Sequence, residues 1–311
     1  MVGAAVLALG VGVLAASQTL FFQRILFALS VERVYDRYEQ TDTTQTDVTA
    51  RVDASGREAA LVSAFFGLDQ GLPDPAADWA VCEGAGGADG MPVIFSHEVD
   101  VTTLEPGDFK INQRSGAISE VTCLTLAPAD DPGELRTALL AGQFGDLQDQ
   151  AVTVEVIGDV LSRDGSVTFK GAQVDVTPLE DGPSLVFAEA VPEDEWSIGQ
   201  KPTSVPFGGG SGCPEGTQQV VRATWNGGIT KPNNTPAGDK ERALYEVVME
   251  RANGDPISVT PIALADTGDG DNNHKLCLDT SGRVQSIRFP AGYLTDPGDD
   301  LNPATQVELQ P

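Results

Sequence analysis

The chain reads as mainly β, with two tandem antiparallel β-sandwich domains behind an amino-terminal helical segment. Three observations lead there. From residue 92 onward, short β-branched runs alternate with Gly, Pro and Asp turns; helical periodicity is absent between residues 91 and 191; and 34 Gly and 20 Pro among 311 residues leave little room for long helices. Apolar residues make up 41% of the chain, enough for two ordinary cores at a length that suits two or three domains.

Taken in order, residues 1–23 carry no charged side chain, and 2–14 form an apolar run broken only by glycine. Ala15, Ala16 and Ser17 supply the small residues that a signal peptidase cuts after, so residues 1–17 are expected to be a signal peptide. The alternative is an uncleaved membrane anchor through residues 1–23, because the uncharged stretch reaches the ~20 residues a span needs and no Lys or Arg precedes it. Apolar residues then recur at three- and four-residue spacing (Leu20, Ile25, Leu26, Leu29, Val34, Tyr38), which predicts a helix over 19–38. Residues 41–49 read as a spacer or an edge strand. A second short helix is expected at 57–66, making 18–90 a helical segment.

Strands are expected at 92–99, 108–112, 120–126, 135–140, 151–157, 166–176 and 184–190, which assigns 91–198 to the first sandwich. The Gly- and Pro-rich stretch 199–212 reads as a linker. Strands at 217–225, 243–250, 257–265, 275–278, 284–289 and 305–309 assign 213–311 to the second sandwich. Residues 121–127 align with 259–265 without a gap, and 141–146 resemble 291–296, the pattern of a diverged tandem duplication.

The run Val93-Ile94-Phe95-Ser96-His97-Glu98-Val99-Asp100, followed by Thr103-Leu104 and Asp108-Phe109, resembles bacterial Ig-like domains of S-layer and other cell-surface proteins. It departs from their pattern at His97 and Glu98. The resemblance implies Ig-like sandwiches used for display or adhesion, and it carries over no catalytic residue.

Forty-six Asp and Glu against 19 Lys and Arg leave a net charge of −27, which repels phosphate backbones and anionic bilayers. Nucleic acid is therefore excluded as a partner; divalent cations and a surface or protein ligand of unspecified kind are the expected partners. Cys82, Cys123, Cys213 and Cys277 show no C-x-x-C spacing, and their even number suggests disulfides. Of the three possible connectivities, Cys82 with Cys123 and Cys213 with Cys277 keeps each bridge inside a domain.

The richest candidate site is the loop holding Asp266, Asp269, Asp271 and Asn273, four oxygen side chains on a glycine-bent segment that could gather around Ca²⁺. His274 and Thr280 stand where an EF-hand needs Gly and Glu, so the loop is not one. Asp296, Asp299, Asp300 and Asn302 form a second cluster of the same kind. The expected function is thus an exported structural or adhesion protein, calcium-stabilised, at the cell surface or secreted. The alternative is a secreted metal-dependent hydrolase using His97 and His274 with adjacent carboxylates. A third possibility, carbohydrate binding, would use an exposed aromatic patch near Trp196. No nucleophile elbow, zinc-protease, P-loop or dinucleotide motif occurs.

Overall fold

The structure is a computed structural model that describes residues 42–53, 59–72, 77–78, 81–201, 210–232, 235–251, 253–268 and 270–310. The signal peptide or anchor and the helix expected at 19–38 lie outside the described residues. Among those described, no helix is long and apolar enough to cross a membrane.

Seventeen strands run along the described chain. They are β1 (Asp47–Asp53), β2 (Leu61–Phe65), β3 (Asp89–Phe95), β4 (Phe109–Gln113), β5 (Ile118–Ser119), β6 (Val121–Thr125), β7 (Thr137–Gly142), β8 (Ala151–Val156), β9 (Gln173–Thr177) and β10 (Leu185–Ala190), then β11 (Gln219–Trp225), β12 (Glu246–Glu250), β13 (Pro256–Val259), β14 (Ala263–Ala265), β15 (Asn273–Leu278), β16 (Arg283–Phe289) and β17 (Ala304–Gln310). The protein is mainly β, as its turn-punctuated, β-branched grammar demands.

β2 through β9 form one eight-stranded sheet in the order β5-β4-β8-β9-β2-β3-β7-β6, joined at its middle by the parallel pair β2 and β9. Both halves of that sheet face one core of Phe66, Phe95, Phe109, Ile111, Leu140, Phe144, Val154 and Phe169. The remaining strands make a five-stranded sheet, β1-β17-β16-β12-β13, and a four-stranded one, β10-β11-β15-β14. These two enclose a second core around Trp225, Tyr245, Phe289, Ile287, Leu276 and Val221. Trp225 meets Phe289 edge-on at 5.4 Å, the geometry aromatic quadrupoles favour.

Several expectations are corrected. Residues 61–65 are a strand, not part of a helix: Leu61, Ser63, Ala64 and Phe65 are all buried within the sheet, and β-sheet pairing there outweighs the local helical spacing. The segment 18–90, where described, is thus largely strand and turn. β1 lies at a sheet edge, paired in parallel with β17 at the opposite end of the sequence. β10 pairs antiparallel with β11, so Gly199 and Gly212 fall inside the second unit, and the chain passes between units after β1 and again at 178–184. The aligned repeats also fall on unlike elements: 121–125 is the single strand β6, whereas 259–265 leaves β13 and enters β14 in another sheet.

The structure contains disulfides Cys82–Cys123 and Cys213–Cys277. Each sits in a small apolar cluster of its own, the second with Val191, Val220 and Ala265.

Candidate metal centre

β14 ends at Ala265, and the chain turns through Asp266, whose φ of +60° is a left-handed conformation that Asp tolerates better than most residues. Asp266 is buried and pairs with Lys275 Nζ at 2.6 Å. Asp271 is also engaged: its Oδ1 accepts the Asn273 backbone N–H at 2.9 Å and its Oδ2 accepts Asn273 Nδ2–H at 2.8 Å. Asn273 Oδ1 accepts from Thr224 Oγ1 at 2.8 Å. The loop oxygens expected to face a cation therefore meet protein donors, while Asp269 lies outside the described residues.

His274 sits behind that loop in the second core. Trp225 Nε1 donates to Tyr245 Oη at 3.0 Å, which leaves the Tyr245 proton free to be donated to His274 Nδ1 at 2.8 Å. Burial lowers the imidazole to about 4, so the ring is neutral at pH 7 and accepts at Nδ1. His97 lies elsewhere, its Nδ1 2.9 Å from Ser96 Oγ and its ring beside Phe169. Among the described residues, one trio of His, Cys, Asp or Glu has ligand atoms within 4.8 Å of one another, namely Asp131, Glu134 and Asp266, and it contains neither histidine. Trp196 is half-buried and donates Nε1–H to Val191 O at 2.8 Å, which is a packing role.

That trio belongs to a buried ionic junction between the two units. Arg222, 1% exposed, reaches Glu189 Oε1 at 2.7 Å, Pro132 O at 3.2 Å, Glu134 at 3.4 Å and Glu195 at 3.5 Å. Arg136 reaches Glu189 Oε2 at 2.7 Å and Ser96 O at 2.9 Å while its guanidinium lies 4.2 Å over the Phe187 ring. Gly133 has φ +85°, and a Cβ there would come 2.5 Å from Arg222 Nη2, so glycine is what lets the turn approach the guanidinium. Burial pushes the Glu134 carboxyl up to about 8; the Asp266 charge adds to this, and Arg222 and Lys275 act against it.

A second cluster lies at the turn 296–300. Asp300 N–H donates to Asp296 Oδ1 at 2.9 Å, and Asp299 N–H donates to Asp296 O at 3.2 Å, with Asp299 at φ +65°. Asp296 and Asp300 are 1% and 2% exposed. Burial, and then the charges of neighbouring carboxylates, raises both, Asp300 to about 7. Asn302 is spent on the scaffold: its Oδ1 accepts the N–H groups of Tyr293 and Leu294 at 2.9 Å each, and its Nδ2 donates to Pro290 O at 2.8 Å and Pro303 O at 2.7 Å.

Asp131, Glu134, Arg222 and Asp181 were not singled out from sequence. Arg222 alone had a signal, a basic residue inside the apolar strand Gln219–Trp225.

No protein-family model and no curated protein matches the chain. Among solved structures, it is similar to the N-terminal part of the bacterial S-layer protein SbsC at 11% identity and a TM-score of 0.29, covering 83% of this chain and 45% of that one. A structure of the S-layer protein rSbsC(31-844) gives 12% identity and 0.28, covering 81% and 41%, and one of SbsC domains 1-6 gives 12% and 0.27, covering 76% and 33%. The chain spans less than half the length of each, and a likeness this loose carries no argument.

Proposed function

We propose that the chain is an exported structural protein of the cell surface or the secreted medium, built from Ig-like β-sandwich modules and used for display, adhesion or spacing. The pair of disulfides carries this reading. All four cysteines are bridged, each bridge within one unit, as befits a protein that matures in an oxidising compartment. A spacer must also hold its modules in fixed relation, and the buried ions at Arg222 and Arg136 support that.

Thiol alkylation of intact cells, with and without prior reduction, tests the proposal together with protease shaving of the cell surface. The expected result is a chain removed by external protease or recovered from the medium, whose cysteines take up label only after reduction. A chain retained inside the cell with four alkylatable thiols would overturn the proposal.

A further inference from the structure

We propose that the turn at 296–300 is a divalent-cation site best suited to calcium, held by Asp296 and Asp300, with the charge of Asp181, on the connection between the two units, bearing on it. Both carboxylate oxygens of Asp300, and Oδ2 of Asp296, are buried and lack any hydrogen-bond partner. Buried polar atoms are nearly always satisfied, and three orphaned oxygens on two neighbouring side chains point to a missing partner. Among the described residues that partner is not a basic side chain: no Lys, Arg or His pairs with Asp296, Asp300 or Asp181, whereas the junction carboxylates are answered by Arg136, Arg222 and Lys275. The charges bearing on Asp300 are those of Asp181, Asp299 and Glu180, all of one sign.

The scaffold is built in advance. The Asp300 N–H bond to Asp296 Oδ1 closes the turn, and Asn302 spends its whole amide bracing the segment from 290 to 303. Gly182 packs directly on Leu301 O, where a Cβ would have no room, so the turn carrying Asp181 is pressed against the site. Thr43 Oγ1 donates to the same carbonyl at 2.7 Å. Calcium accepts six to eight oxygens in irregular geometry, with carbonyls and waters completing the shell, whereas magnesium demands a near-ideal octahedron. An ion here would relieve the repulsion that Asp181, Asp299 and Glu180 exert on Asp300. Its filling in a living cell rests on the export proposed above, through millimolar external calcium; binding by the purified chain does not, so the two ideas fail separately.

The test is calorimetric titration of calcium chloride into the chelator-treated full chain, alongside thermal melts in calcium and in magnesium at equal ionic strength. We expect one calcium per chain with a Kd of about 10⁻⁴–10⁻³ M, and a rise in Tm that magnesium does not match. Asp300→Asn should weaken binding by more than about tenfold, since losing even an outer-shell partner commonly costs that much. Asp239→Asn, at a 95% exposed side chain, should leave binding unchanged. If Asp300→Asn fails to fold, Asp296→Asn serves the same comparison. No saturable calcium binding, binding undiminished in the folded variants, or an equal response to magnesium would each overturn the site.

Discussion

Arg222 stands between Val221 and Ala223 in β11, and alternation along the strand sends those neighbours into the second core while Arg222 faces the other unit. Its removal would empty a fully buried site, take from half-buried Glu189 one of its two guanidinium partners, and leave Glu134 and Glu195 without theirs. Arg222→Ala should therefore cost about 3–5 kcal/mol in urea unfolding, and Arg222→Lys a substantial part of it, since an ammonium cannot reproduce the guanidinium's several directed bonds. Glu134 adds a pH signature. Its folded pKa of about 8 lies above its ordinary 4.5, so the fold favours the protonated acid. The associated stability is present below pH 4.5 and is lost as pH rises towards and through 8. Urea midpoints for the parent should fall from pH 5 to pH 8 more steeply than those of Glu134→Gln, which cannot ionise. Parallel slopes would place the proton elsewhere in the junction.

At the scale of elements, each disulfide constrains a separate region. Cys213–Cys277 ties the connection before β11 to β15, closing a separation of 64 residues, and Cys82–Cys123 ties the loop before β3 to the edge strand β6 over 41. Cys213→Ser and Cys277→Ser should each destabilise by about 2–5 kcal/mol, and by the same amount as one another. Peptide mapping that finds Cys82 joined to either residue would break the assignment. β1 makes a second elemental prediction. It covers β17 in parallel and contributes Val52 to the core, so deleting residues 42–53 bares a seven-residue edge. The truncated chain should aggregate in size-exclusion chromatography where the parent does not, because an uncovered edge is a template for another chain.

At the scale of the whole molecule, the units are joined twice by the chain and once by buried ions. The second unit is discontinuous, taking β1 from before the first unit and β10 to β17 from after it. Neither end of the first unit is free. The parent should accordingly unfold in a single calorimetric transition, and Arg222→Ala should separate it into two. Two transitions in the parent would show that the junction couples the units only weakly.

Much of the strand pattern was legible in residues alone. The runs around β8, β11 and β16 are bounded within two residues, because period-two alternation and turn chemistry are local properties. The cysteine pairing followed from keeping each bridge within one half of the chain. What local pattern could not contain is partnership across sequence distance. The union of β1 with β17, the placing of β10, and the strand at 61–65 were settled by which edges and apolar faces needed covering. The candidate sites divide the same way. Acidic clusters at 266–273 and 296–302 are visible as strings of Asp and Asn, yet their surroundings differ: Lys275 answers Asp266, whereas the charges that bear on Asp300 are those of other carboxylates. Sequence alone determined where charge was concentrated, and the tertiary structure decided which of those charges was neutralised, since burial and counter-ions belong to space and not to the order of residues.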